Sequence, residues 1–360
     1  MADGTNLPDL RRRGLVPAPD DLVRAVGDAA LAMAWRALRP GERDAFVRAD
    51  TAPVSRLRYQ SDDGWAADLF HLPPLPGAAG EPVLLGHGLG ATHRDFVLDP
   101  RGGLARYLRD QGHAVYIWEH RGDPSSIPPP DAGPFSVDDI ATRDLPAAID
   151  RVLGHSGYSR VLVAAHGLAA QAVLIARALG AEDRLAAAAL LGPAVLFSAP
   201  ASATRLASVV AALLPASWTL PARRVQQLAT PWITDGADLG SPGTAGSLAR
   251  GRLRHGGADL AGGVVKQVAR WVAEGALTDA TGRLDIVTAQ RPLPALVVTG
   301  NDDPACPPGA ADPLVARLRA KHLALGAGWG HLDCLLGGQA PEVVFAPVSR
   351  FFLDHRRRCR

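Results

Sequence analysis

The stretch Val163-Ala164-Ala165-His166-Gly167-Leu168-Ala169-Ala170 passes from an apolar run into a helical one through a single glycine. Residues 161–165 are continuously apolar, the pattern of a strand covered on both faces. Residues 171–179 then place apolar side chains at helical spacing. The glycine permits a sharp turn between the two, because it accepts backbone angles that a Cβ disfavours. Outward from this point the same alternation repeats. Residues 82–86, 114–118 and 186–191 read as apolar strands, with helices at 104–111 and 140–153 between them. Strands resume at 295–299 and 322–325, and a last helix spans 340–352. Strands alternating with helices predict an α/β fold with a mostly parallel central sheet flanked by helices.

The flanks are of a different kind. Residues 54–72 alternate like a strand pair around the turn Asp62-Asp63-Gly64, and a Pro/Gly-rich connector follows at 73–80. Residues 21–38 have helical spacing and end at Pro40-Gly41. Between 197 and 285 the strand pattern stops and Ala/Leu-rich helical segments take over, at 206–214 and 264–272. The expected organisation is therefore an N-terminal helical extension (1–50), a first core part (51–196), a helical lid (197–285) and a second core part (286–360).

Composition narrows the function. The chain has 360 residues, of which 47% are hydrophobic and 21% charged, enough to bury a large core. A net charge of +2 gives no electrostatic reason to expect a nucleic-acid partner. Apolar runs of membrane-spanning length are missing, and the first residues show no secretory signal pattern. Cys306, Cys334 and Cys359 are too few for a disulfide framework, so a reducing, cytoplasmic setting is expected. The basic end, residues 356–360, reads as a solvated tail. No metal is expected, since no His/Asp/Glu group has ligand spacing such as H-E-x-x-H. Nothing in the chain specifies oligomeric state.

Four segments carry chemistry. Leu85-Gly86-His87-Gly88-Leu89-Gly90 follows a strand, and its glycines let backbone N–H groups turn toward an incoming oxygen. The 163–170 stretch has the strand–turn–helix setting of a nucleophile elbow, G-x-S-x-G, but with Ala165 and Ala169 for the outer glycines and Gly167 for the nucleophile. Thr299-Gly300-Asn301-Asp302-Asp303-Pro304 offers an acid, with Asp303 preferred and Asp302 as the alternative. Gly328-Trp329-Gly330-His331-Leu332-Asp333-Cys334 offers a late histidine, His331. The chain order elbow, acid, histidine is thus Gly167, Asp303, His331.

These motifs resemble the α/β-hydrolase superfamily, and in particular the hydrolase part of cholesterol-oxidase-like proteins. The likeness also rests on Leu104-Ala105-Arg106-Tyr107-Leu108, on Val137-Asp138-Asp139-Ile140-Ala141-Thr142-Arg143-Asp144 and on the Gly330-to-Cys334 run, and it covers roughly residues 54–353. The resemblance implies an α/β-hydrolase fold with a helical lid. It implies an oxyanion loop at His87, Gly88 and Leu89, joined by the residue after the elbow, Leu168. It also implies a catalytic pair of His331 and Asp303. Relatives of this kind can have cysteine or serine at the elbow; here neither is present, so no acyl-enzyme can form at Gly167. No dinucleotide fingerprint opens a first βαβ unit, so no cofactor is expected.

Three functions are compatible with this. The first is a non-covalent enzyme in which His331, oriented by Asp303, serves as general base or acid beside an oxyanion loop. The second is an esterase with Cys306 or Cys334 as substitute nucleophile. The third is a binding protein with a dead pocket. His166, next to the elbow, is expected to be structural. Apolar residues at 206–214, with Trp218, Trp232 and Trp271, either line an apolar cavity or pack the lid onto the sheet, and the expected ligand is a small lipophilic carbonyl compound.

Overall fold

A computed structural model describes residues 55–99, 102–198 and 201–360. The expected N-terminal extension, its helix at 21–38 and the strand start at Val54 lie outside the described residues. Strands β1 (Ser55–Gln60) and β2 (Ala66–Leu72) form an antiparallel hairpin in which Ser55 faces His71. Its turn needs Gly64 at φ 88°, a left-handed angle that suits glycine. The remaining strands are β3 (Pro82–Gly86), β4 (Ala114–Trp118), β5 (Val161–His166), β6 (Leu185–Leu191), β7 (Thr219–Leu220), β8 (Leu260–Ala261), β9 (Ala295–Gly300) and β10 (Lys321–Leu325). Eight of the ten described strands build one sheet in the order β1-β2-β4-β3-β5-β6-β9-β10; β7 and β8 pair separately. From β4 to β10 all neighbours are parallel, and only β1 and β2 run against their partners. This is the α/β-hydrolase architecture.

The continuous apolar strands are explained by two buried clusters. One includes Tyr116, Trp118, Val163 and Val173, and the other Ile117, Leu162, Phe345 and Phe352. Side chains alternate across each strand, so the even and odd positions of β5 feed different clusters. The helix Leu168–Ala178 is buried at every position from Leu168 to Arg177, as an all-round apolar helix must be. It begins three residues earlier than the periodicity suggested, because Gly167 turns the chain directly into it.

Two features fix the site's position. The chain makes β3, moves outward to β4, and returns to lay β5 on the other side of β3. At such a reversal the carboxyl ends of neighbouring strands diverge and leave a crevice. The register Gly86↔Ala165 places the loop after β3 beside the turn after β5. Between β6 and β9 the chain forms helices Ala201–Leu213, Ala222–Ala229, Gly246–His255 and Gly262–Glu274. The middle two were not legible as periodic segments, since they are rich in Arg, Gln and Gly.

The C-terminal tail departs from expectation. Cys359 is fully buried, and its carbonyl accepts the amides of Ser159 and Arg160 at 2.9 and 3.1 Å. The end of the chain is docked at the start of β5, with only its arginine side chains left in solvent.

Candidate active site

Gly167 is the residue before the helix Leu168–Ala178, at φ 51° and ψ −118°. Its amide donates to Leu191 O on β6 at 3.0 Å, which holds the turn against the sheet. A side-chain residue here would be strained, and glycine relieves that strain. A Cβ placed on Gly167 would lie 3.1 Å from Nε2 of His331 and 3.5 Å from Cα of Gly88. The position of the absent side chain is thus enclosed by the histidine on one side and the loop after β3 on the other.

His331 Nδ1 donates to Asp303 Oδ2 at 2.8 Å. A carboxylate only accepts, so the proton sits on Nδ1 and the Nε2 lone pair faces Gly167. The second oxygen, Oδ1, accepts the amides of Ala305 and Cys306 at 2.8 and 2.9 Å. Burial works to raise the Asp303 pKa, but the hydrogen bond from His331 and these two amides outweigh it, leaving the carboxyl below its usual range. Asp302, the sequence alternative, turns away and accepts the Gly328 amide at 2.6 Å. Gly192 closes the back of the pair: a Cβ there would meet Asp303 Oδ2 and the His331 ring at 3.1 Å.

His166 has a role beyond packing. Its Nε2 donates to the backbone carbonyl of His331 at 3.0 Å, and the two rings lie 4.3 Å apart. Burial, with His331 close by, lowers its pKa to about 3, so it is a neutral prop for the His331 loop. The sequence marked it as structural without identifying what it supports.

His87 stands differently from the expectation that it joins the pocket wall. It is buried beneath the loop, with Nε2 on Asp123 Oδ2 at 2.9 Å and Nδ1 on Gly88 O at 3.1 Å. Both nitrogens face acceptors, so both carry protons. Burial opposes that charge, but Asp123 and then Glu119 overcome it, and the pKa rises to about 9. His120 joins them, so that one ligand-type atom from each of His87, His120 and Asp123 lies within 4.8 Å of the others, a grouping that spacing along the chain did not show. Because His87 titrates higher in the fold than its unfolded value near 6.5, its contribution is complete below that value. It is lost as pH rises through about 9. Stability is therefore expected to fall between pH 6.5 and 9 by about 2–3 kcal/mol in urea denaturation, and Asp123→Asn should flatten the decline.

The elements meet around a cavity of about 280 Å³. Gly88, Leu89, Gly167, Leu168 and His331 all line it. Leu168 opens a helix, so its amide has no intrahelical acceptor and is free to bind an oxygen. From the segment between β6 and β9 the wall takes Phe197, Arg252 and Val268. Residues 206–214 and the three tryptophans do not contribute. Leu206 is 65% exposed, and Trp271 is fully buried, stacked on Phe197. Sequence reasoning missed Asp95 and Gln171, which line the same cavity and carry no motif.

Neither substitute nucleophile is in place. Cys306 and Cys334 are fully buried and absent from the cavity wall. Burial pushes the Cys306 thiol up to about 12 and that of Cys334 higher still, with Asp303 adding to both. Such thiols are inert. The cysteine route, one of the alternatives open in the sequence, finds no support in this burial.

The sheet, the turn after β5 and the Asp–His pair together define an α/β-hydrolase. The chain matches the serine aminopeptidase, S33 family over residues 81–332 and belongs to that family. Among curated proteins it is similar to lipase 3 of Drosophila melanogaster, with 30% identity over 168 residues, 43% of this chain and 42% of that one. It is also 28% identical to human lipase member K over 127 residues, 32% of each. The chain thus spans a third to two fifths of the length of these relatives. Among solved structures it is similar to DcsB in complex with its substrate analogue (TM-score 0.59, 16% identity, 84% of this chain and 99% of that). It is likewise similar to a monoacylglycerol lipase of Paleococcus ferrophilus (TM-score 0.53, 19% identity, 84% and 99%). At these identities the structural likeness establishes the fold. No helix among the described residues is long and apolar enough to cross a membrane.

Proposed function

We propose that the protein is an enzyme of the α/β-hydrolase fold that works without a covalent intermediate, with His331 as general base and acid and Asp303 as its positioning partner. The observation that carries this reading is the aim of the histidine: its Nε2 faces the space at Gly167, with no side chain between it and the cavity. A water or a substrate C–H placed there meets a base oriented by a buried carboxylate. In this reading the loop at Gly88 and Leu89 and the helix-opening amide of Leu168, all on the cavity wall, serve the developing oxyanion as donors. Positioned base catalysis supplies roughly 10²–10⁴ in rate, and an oxyanion donor about 10²–10³. For water attack, Nε2 takes the water proton as oxygen adds to the carbonyl, then returns it to the leaving alkoxide. For proton abstraction, Nε2 takes a hydrogen next to the carbonyl and the amides hold the enolate.

The substrate is a lipophilic carbonyl compound. Leu89, Leu168, Phe197, Val268 and Leu332 give the cavity apolar walls, and the lipases among its relatives fit a lipophilic ligand. The helical segment at 197–285 serves as the lid. Two assays test the proposal: hydrolysis of p-nitrophenyl esters from four to twelve carbons, and deuterium uptake from solvent next to the carbonyl of 2-decanone. Wild type should show at least one activity, and His331→Ala should lose it. Activity that survives His331→Ala, or none in either assay, would favour a binding protein with a silent pocket.

A further inference from the structure

The cavity that holds Gly167 and His331 is also lined by a buried carboxylate with no hydrogen-bond donor. Asp95 lies in the short turn His93–Phe96, just beyond the loop after β3. It is 1% exposed, and neither Oδ1 nor Oδ2 has a hydrogen-bond partner among the described residues. Its nearest cation is Arg252, on the helix Gly246–His255, whose Nε stands 3.4 Å from Oδ1 and is itself without a hydrogen bond. The rest of that guanidinium is committed elsewhere. Nη1 donates to Gln226 Oε1 at 3.0 Å and Nη2 to Gly90 O at 3.4 Å. The arginine balances the charge of Asp95 without filling its acceptor sites. Gly256 leaves the carboxylate its room, since a Cβ there would stand 3.1 Å from Oδ1.

A buried acceptor left unmade is costly, and a structure that keeps one is poised for a donor from outside. Asp95 and Arg252 both line the cavity, so the donor arrives with the ligand. Its charge follows from the pair. Asp95 and Arg252 sum to zero, and an ammonium would add an unbalanced cation beside a buried pair, whereas a hydroxyl supplies the bond at no charge. We infer that Asp95, held opposite Arg252, is a recognition subsite for a hydroxyl group of the substrate, which is therefore a lipophilic carbonyl compound with a hydroxyl in addition to its reacting carbonyl. A ligand with a purely hydrocarbon tail covers the carboxylate without satisfying it, and the site discriminates against it.

This rests on the cavity being the substrate site proposed above, but it is read by binding and not by turnover. Calorimetry with the whole chain compares methyl ketones of eight to twelve carbons, 2-decanone among them, with the same ketones carrying a terminal hydroxyl, such as 10-hydroxy-2-decanone. The hydroxyketone of best-fitting length should bind wild type at least tenfold more tightly than its parent. Asp95→Asn, which halves the acceptors and keeps the shape, should bring the ratio below threefold. Asp95→Leu combined with Arg252→Met, which removes both charges, should invert it. Equal affinities in wild type, binding of neither series, or a ratio unchanged in both variants overturns the inference. A hydroxyl preference alongside chemistry indifferent to His331→Ala would sink the proposed reaction and leave this subsite standing. His331-dependent chemistry with no hydroxyl preference would do the opposite.

Discussion

Asp303→Asn is expected to cut the His331-dependent rate by about 10³- to 10⁴-fold while leaving the fold intact. The size of the effect follows from which atoms the carboxylate serves. Oδ1 accepts two backbone amides, from Ala305 and Cys306, and Oδ2 accepts the proton on His331 Nδ1. An asparagine has one acceptor and one donor to place in those two positions. The two amides demand the oxygen, so the NH2 group is forced toward His331. Nδ1 must then be the unprotonated nitrogen, and the proton moves to Nε2, the atom that faces Gly167. The base at the cavity is converted into a donor without moving. The measurement is the rate of ester hydrolysis or of solvent-deuterium uptake as a function of pH. A loss confined to one pH range, recovered at another, would mean a shifted titration and not a reversed tautomer.

Arg121→Ala is expected to destabilise the protein by about 3–5 kcal/mol in urea denaturation. Arg121 is buried and bridges two carboxylates: Nη2 lies 2.7 Å from Asp144 Oδ1, and Nη1 lies 2.7 Å from Asp63 Oδ2. It thereby ties the β1–β2 hairpin turn to the residue leading into the helix Leu145–Ser156. Burial pushes the Asp144 carboxyl up, and Arg121 is the main charge opposing that. Removing the guanidinium leaves Asp144 buried without a compensating charge, the circumstance in which breaking an internal pair is most costly. Arg121→Ala with Asp144→Ala should cost less than the sum of the two single changes, because the second removes the charge that the first strands.

Much of this structure was legible in the chain because its signals are local. The apolar runs of β3 to β6 and the alternating residues around Asp62-Asp63-Gly64 each state their own secondary structure, and the strand–helix alternation states the sheet. The Asp–His pair was legible from chain order and its turn setting, and the geometry decides for Asp303 over Asp302. What stayed hidden depends on contacts between distant segments. His87 looks like part of an oxyanion wall in its Gly-rich loop, yet Asp123, brought close only by the fold, draws its ring beneath that loop. Whether the tryptophans and residues 206–214 line a cavity or pack the lid stays open in the sequence, because hydrophobicity marks burial, and burial in a core cannot be told from burial in a pocket by composition. Asp95 gave no signal at all: a lone aspartate in a polar turn reads as solvated until its surroundings are known. The thiols of Cys306 and Cys334 lay near the right motifs in sequence, but the chain turns both into the core.

His331, paired with Asp303, and the loop after β3 enclose the side-chain position that Gly167 leaves empty. Labelling of wild type and Gly167→Ser with an alkyl fluorophosphonate, read by intact-protein mass, tests this arrangement most directly. The substitution carries a strain of about 1–3 kcal/mol at this left-handed angle, and His331, which is partly exposed, must yield by a few tenths of an ångström. Gly167→Ser is expected to gain one phosphonyl group at position 167, His331→Ala in the same chain to abolish the labelling, and wild type to stay unmodified. A folded Gly167→Ser that remains unlabelled would contradict the arrangement, and a labelled wild type would mean that the chemistry runs through a nucleophile other than the one this position lacks.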